Sequence, residues 1–159
     1  LITSSVRRPS PDVLDPKIHH CNLIQSILAK IEANHAGADD ALMLDSRGFV
    51  AETNATHLFL VDGGTLITSR LVACPEGITR EVVLGLCCDN GIPHEVRDIS
   101  LTEVYRADEM FCTGTMGELA PVTQVDGRPI GTGEGGPMTQ RLVKLFDATV
   151  AAEAEPVLG

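Results

Sequence analysis

Apolar and polar positions fall into short blocks along this chain, and the repeat within the blocks changes several times. Between Asn22 and His35 the apolar residues Leu23, Ile27, Leu28 and Ile31 recur at helical spacing, with Ala29 and Ala33 adding helix propensity, which predicts a helix ending near Gly37. The repeat then shortens to that of strands. ALMLD and FVAET flank Ser46-Arg47-Gly48, and HLFLVDGGTLIT folds about Asp62-Gly63-Gly64, so two hairpins with three or four antiparallel strands are predicted. Helical spacing returns over Ile78 to Asn90. IPHEVRDI reads as a strand, LTEVYRA as a short helical turn, and DEMFCTGT with ELAPVTQVDG as a further pair of strands. Gly131 to Gly136 predicts a loop, and Pro137 to Ala152 a closing helix with proline in its first turn. At the other end, LITSSVRR reads as a strand, and SPDVLDPK as an irregular crossing segment punctuated by Pro9, Pro11 and Pro16. The order of elements predicts a mixed α/β (α+β) domain rather than a doubly wound parallel sheet.

Length and charge narrow the class. The 159 residues suit one domain over about 1–150, with a frayed tail at 151–159, and are enough to bury a core. The net charge of −10, with acids and bases scattered, argues against electrostatic binding of nucleic acid or membrane. The longest apolar run falls well short of the roughly 18 residues of a membrane helix, and a cytoplasmic location is expected. Cys21, Cys74, Cys87, Cys88 and Cys112 show no CxxC spacing, so neither a zinc site nor a disulfide framework is predicted, and a reducing compartment fits. The adjacent His19 and His20 would face opposite ways on a strand and have no carboxylate at ligand spacing, so no metal site is predicted.

Three stretches carry candidate chemistry. VAETNATHLFLVDGG sets Glu52 at the end of an apolar strand before a small polar turn; taken alone, this is an exposed strand-end carboxylate. Asn54 and Thr56 read as residues that stabilise the turn. In LVACPEGITR, Gly77-Ile78-Thr79-Arg80 stands where a loop becomes a helix, so free backbone N–H groups and the helix dipole face an anion such as phosphate. Alone it is an ordinary helix start. Arg70 and Arg80 lie near this element in sequence. The third stretch, Cys112 to Glu118, is a small-residue turn between two strands.

In this order and spacing, from about Leu1 to Phe146, the three stretches resemble the C-terminal domain of the class IV, or fold type IV, pyridoxal-phosphate aminotransferases, nearest to the D-amino-acid and branched-chain groups. The resemblance implies pyridoxal 5'-phosphate as cofactor and transfer of an amino group between an amino acid and a 2-oxo acid. It implies that Glu52, in an AET motif, faces the ring nitrogen and keeps it protonated. Ile78 and Thr79 would hold the phosphate through their amides, with the Thr79 hydroxyl adding a bond and Thr115 completing the cup. Met116 would face the substrate carboxylate, and Pro75 would stand near the ring face. His57 occupies a position that in ETNATxLF more usually carries Asn. A homodimer is expected, and because the chain opens at Leu1 in a strand already under way, the family's N-terminal domain is expected to be absent.

The resemblance also places the Schiff-base lysine just ahead of the first helix, typically in KSLNYLNNxLAKxEA. Aligning LAKIEA on LAKxEA puts His19 at that position, with Asn22 on the Asn of KSLN. Lys17 lies two residues earlier, on the same face of an extended strand about 6.5–7 Å away. Three readings stay open. Lys17 takes the lysine's role after a one-pleat shift, or His19 replaces it as a general base without a covalent link. In the third the domain is non-catalytic, a degenerate relative serving as a dimerisation or binding module. An aminodeoxychorismate lyase, built on the same fold, is the nearest other enzyme.

Overall fold

The structure is a computed structural model that describes residues 1–18, 20–114 and 117–153. Two sheets form its centre. The smaller joins β1 (Ile2–Thr3), β2 (Ala41–Leu44) and β3 (Val50–Thr53), with β1 parallel and β3 antiparallel to β2. The larger is built from β4 (His57–Asp62), β5 (Thr65–Thr68), β6 (His94–Val96), β7 (Glu109–Gly114) and β8 (Glu118–Pro121) in the spatial order β6-β5-β4-β7-β8. β9 (Gln124–Val125) and β10 (Arg128–Pro129) form a separate small hairpin. The helices are α1 (Ile24–His35), α2 (Ile78–Asp89), α3 (Leu101–Arg106) and α4 (Pro137–Glu153).

The central strand β4 is apolar at nearly every position because both of its faces are covered. Phe59 and Val61 pack with Val83 and Cys87 of α2 and Leu142 and Phe146 of α4. Leu58 and Leu60 point the other way, into a cluster with Leu42, Leu44 and Val50 of the small sheet. Phe59 stands opposite Phe111 in the β4–β7 register, and their rings stack with centroids 5.2 Å apart. Such a pair adds about 0.5–1.5 kcal/mol beyond its area burial. Among the described residues no helix is long and apolar enough to cross a membrane, and the five cysteines are free thiols.

Two sequence expectations are corrected, and the packing of α1 adds a third finding. LITSSVRR is a strand only at Ile2–Thr3: the Ser4 amide still donates to the Leu42 carbonyl of β2 at 2.8 Å, but the Ser4 hydroxyl and the Ser5 amide bond the Glu32 carboxylate of α1. The segment before α1 is not an extended strand. The Lys17 amide donates to Asp15 Oδ1 at 3.0 Å and the Ile18 amide to the Asp15 carbonyl at 3.1 Å, which makes a turn over Pro16–Ile18, so Lys17 does not lie in an extended strand. In α1 the small residues face inward: Ala29 and Ala33 pack on Ala41 and Met43. Leu23, Ile24, Ile27, Leu28 and Ile31 are 44% to 54% exposed.

Glu109 fastens α4 to the large sheet. Its buried carboxylate accepts the Met138 amide at 2.9 Å, and the Thr139 amide and hydroxyl each at 2.8 Å, satisfying N–H groups that a helix start leaves free. A Cβ on Gly136 would overlap this carboxylate. Glu109→Ala is expected to cost about 2–4 kcal/mol, read as a lower urea midpoint with unchanged slope.

Candidate functional site

The site lies where the chain passes from the small sheet to the large one. The crossing turn is locked from within. The Thr53 amide donates to the Thr56 carbonyl, and the Thr56 amide to Thr53 Oγ1, both at 2.8 Å. Asn54 Oδ1 accepts the Ala41 amide at 2.7 Å, while its Nδ2 donates to Asp40. Asn54 and Thr56 thus act on the turn, as their sequence context predicts.

Glu52, the last residue but one of β3, is 2% exposed and lines two cavities that meet at it, of about 320 Å³ and about 250 Å³. Pro75 and Ala55 also line both. Burial pushes the Glu52 carboxyl up to about 7, against the pull of the Arg8 guanidinium. Arg8 Nη2 stands 2.5 Å from Glu52 Oε1, while His57 Nε2 is 3.8 Å from Oε2 and outside hydrogen-bond reach. Nε2–H of His57 instead donates to the Pro75 carbonyl at 2.8 Å. Burial holds His57 below its ordinary pKa, and the Arg80 and Arg8 charges add to this, so the ring is neutral near pH 7.

The smaller cavity has the character of an anion cradle. α2 opens at Gly77 without a side-chain cap, so the first-turn amides at Ile78 and Thr79 are left for a guest; both residues line the cavity. Across from them Thr113 Oγ1, buried and without a hydrogen-bond partner, lines the same space. Thr113 is the register partner of His57 across β4 and β7. Arg80, in the first turn of α2 and also lining the cavity, is buried with Nη2 bonded to the Ser69 carbonyl at 3.0 Å and Nε unpaired. A buried cation bonded to a carbonyl adds positive potential where the helix start already favours an anion. Gly77 is required for close approach, since a Cβ there would stand 2.6 Å from His57 Nδ1. Gly77→Ala is expected to displace the His57 ring and weaken inorganic phosphate binding by about tenfold or more, measured by phosphorus NMR titration.

The structure therefore brings together Glu52, Pro75, Ile78 and Thr79 from separate stretches. Lys17 is exposed and lines neither cavity. His19, Thr115 and Met116 lie outside the described residues, although Ile18 and His20 on either side of His19 both line the larger cavity. Arg70 is exposed, with Nε 3.9 Å from Asp98 Oδ1. Sequence reasoning missed Arg8 and Thr113. The only local signal was the Arg7-Arg8 doublet after an opening strand and the threonine beside Gly114. The carboxylate and the cradle, lining one cavity, fit a guest that carries a basic nitrogen and a phosphate. The lining residues of both cavities include no lysine among the described residues.

Similarity to known proteins points the same way. Residues 1–125 match the family model for amino-transferase class IV. The chain is 48% identical over 157 residues to the branched-chain-amino-acid aminotransferase-like protein 2 of Arabidopsis thaliana, covering 99% of this chain and 28% of that protein. It is 42% identical over 146 residues to a putative branched-chain-amino-acid aminotransferase of Methanocaldococcus jannaschii, covering 91% of this chain and 51% of the relative. Among solved structures, a T.th. branched-chain amino acid aminotransferase complexed with N-(5'-phosphopyridoxyl)-L-glutamate superposes with a TM-score of 0.92 at 40% identity, covering 96% of this chain and 52% of that one. The Escherichia coli branched-chain amino acid aminotransferase gives 0.91 at 32% identity, over 99% and 54%. The chain spans between about a quarter and half the length of these relatives. It belongs to the class IV aminotransferase family and has the fold of the C-terminal domain of the fold type IV enzymes.

Proposed function

We propose that this chain is the cofactor-binding part of a pyridoxal-phosphate-dependent aminotransferase that moves an amino group between a branched-chain amino acid and a 2-oxo acid. The observation that carries this reading is one cavity with a buried carboxylate, an uncapped helix start and an unpartnered buried hydroxyl in its lining. When bound, the cofactor supplies an electron sink for the substrate's Cα electrons. The chain's own residues hold and orient it. Glu52 keeps a proton on the ring nitrogen. The Ile78 and Thr79 amides, the Thr79 hydroxyl and Thr115 hold the phosphate, with the Thr113 hydroxyl and the Arg80 charge added by the fold, and Pro75 limits the ring's movement. Met116 faces the substrate carboxylate.

His19 stands at the lysine's place in the family pattern and carries the substrate proton as a general base; Lys17, held in its turn outside both cavities, does not. The substrate class rests on the branched-chain enzymes among the relatives. A cytoplasmic homodimer belongs to the same reading, with the outward apolar face of α1 available for a second copy to cover.

The test is an absorbance spectrum of the purified protein with pyridoxal 5'-phosphate, before and after borohydride, followed by peptide mapping. Cofactor retained without a covalent adduct supports a non-covalent site served by His19. An adduct on Lys17 transfers the role to that residue, and a failure to retain cofactor leaves the degenerate binding module as the correct reading.

A further inference from the structure

The buried partner of Glu52 has no part in the scheme above. Arg8 lies beyond β1, on the segment leading to the proline-rich crossing, and its guanidinium reaches two elements, α1 and β3. Nη1 donates to Ser26 Oγ of α1 at 3.1 Å, Nη2 donates to the Thr53 carbonyl of β3 at 3.0 Å, and the same Nη2 stands 2.5 Å from Glu52 Oε1. Both side chains are largely withdrawn from solvent, at 12% and 3% exposure. Arg8 lines the larger cavity with Glu52 and lines no part of the anion cradle. A guanidinium cannot lose its proton in a protein, and two hydrogen bonds hold its fork, so it acts as a permanent positive charge of set position paired with Glu52.

We propose that Arg8 is a positioning residue that favours the anionic form of Glu52 and sets its carboxylate toward the cavity. This rests on the reading of that cavity as a cofactor site, because an ionised Glu52 is what a protonated ring nitrogen needs. Of the other titratable groups near Glu52, His20 lines the larger cavity with it, and three more do not supply a charge of the same kind. His57 is neutral and bonded away to Pro75. Cys74, buried in the loop before α2, is a thiol pushed up to about 12. Arg80, on α2, is held by the Ser69 carbonyl and of the two cavities lines only the cradle. With Glu52 already pushed up to about 7 by burial, loss of the Arg8 charge leaves it protonated at neutral pH. A neutral carboxylic acid does not stabilise a cationic ring nitrogen.

The experiment reads Glu52 directly and needs no turnover. Infrared titration of the ligand-free protein, with the Glu52 band assigned by difference against Glu52→Gln, gives the carboxyl midpoint. Arg8→Gln is expected to raise that midpoint by about one unit or more, equivalent to a tenfold smaller anion fraction well below the midpoint. It is also expected to weaken pyridoxamine 5'-phosphate binding most strongly near neutral pH, with recovery as the pH rises. Arg8→Lys, which keeps the charge and loses the fork, is expected to fall between wild type and Arg8→Gln in both measurements. If Arg8→Gln does not fold, a raised midpoint in Arg8→Lys carries the same test. A midpoint unchanged from wild type in the folded variant overturns the proposal. Wild-type protein that fails to bind pyridoxamine 5'-phosphate overturns the cofactor reading instead, and the ligand-free titration then still decides whether Arg8 controls Glu52.

Discussion

His19→Lys is expected to turn a non-covalent cofactor site into a covalent one. After incubation with pyridoxal 5'-phosphate and borohydride, the variant should carry one phosphopyridoxyl group on residue 19, while wild-type protein treated in the same way carries none. The reason is chemical: an imidazole forms no stable imine with an aldehyde, whereas a primary amine desolvated in a cavity does. The place is set by register, since LAKIEA aligns residue 19 with the family lysine and both flanking residues line the larger cavity. Intact mass followed by peptide mapping decides the matter. An adduct on Lys17 in wild type, or a variant that retains cofactor but gains no adduct, contradicts the assignment of position 19.

The second large effect is an opposition between stability and binding at Glu52. A carboxyl whose pKa in the folded state is raised from 4.5 to about 7 adds full stability below pH 4.5 and loses it as the pH climbs through 7. The expected loss is about 3 kcal/mol across that window. Glu52→Gln mimics the protonated acid and lacks this slope. The variant should therefore gain on wild type between pH 4.5 and pH 7, as measured by urea unfolding at a series of pH values. Glu32, Glu103 and Asp126 have lowered pKa values and act in the opposite sense at lower pH, but they are common to both proteins and cancel in the difference. Binding should move the other way. Without the charged oxygen, pyridoxamine 5'-phosphate is expected to bind about 10- to 100-fold more weakly at about pH 8, a loss of the size expected for a charge-assisted hydrogen bond. A flat stability difference across the window would show that Glu52 titrates normally, and unchanged affinity would remove it from the ring nitrogen.

Much of the fold is legible from local pattern. The hairpin at Asp62-Gly63-Gly64 joins β4 to β5, α2 begins at Ile78, and the Ser100 capping box opens α3. In each case the deciding chemistry lies within a few residues: a left-handed glycine, an open helix start, a serine three residues ahead of a glutamate. The parallel pairings of β1 with β2 and of β5 with β6 are not of this kind, because parallel partners are joined through distant chain and leave no turn signal. The same limit explains α1. Helical spacing marks Leu23, Ile27, Leu28 and Ile31 as one face, yet it is Ala29 and Ala33 that pack on Ala41 and Met43 of β2, a choice set by a strand that the helix pattern does not contain.

The candidate site divides along the same line. The resemblance carried by the three stretches in their order singled out Glu52 and the Gly77–Arg80 element as candidates, whereas their neighbouring residues alone describe a strand-end acid and an ordinary helix start. Long-range packing decided what those residues experience. It buried Glu52 beside Arg8, set Thr113 across from His57 as an unpaired hydroxyl, and held Lys17 outside both cavities in a turn made by Asp15. Charge, solvation and distance at a site are properties of elements brought together from far along the chain, and a one-dimensional pattern contains no measure of them.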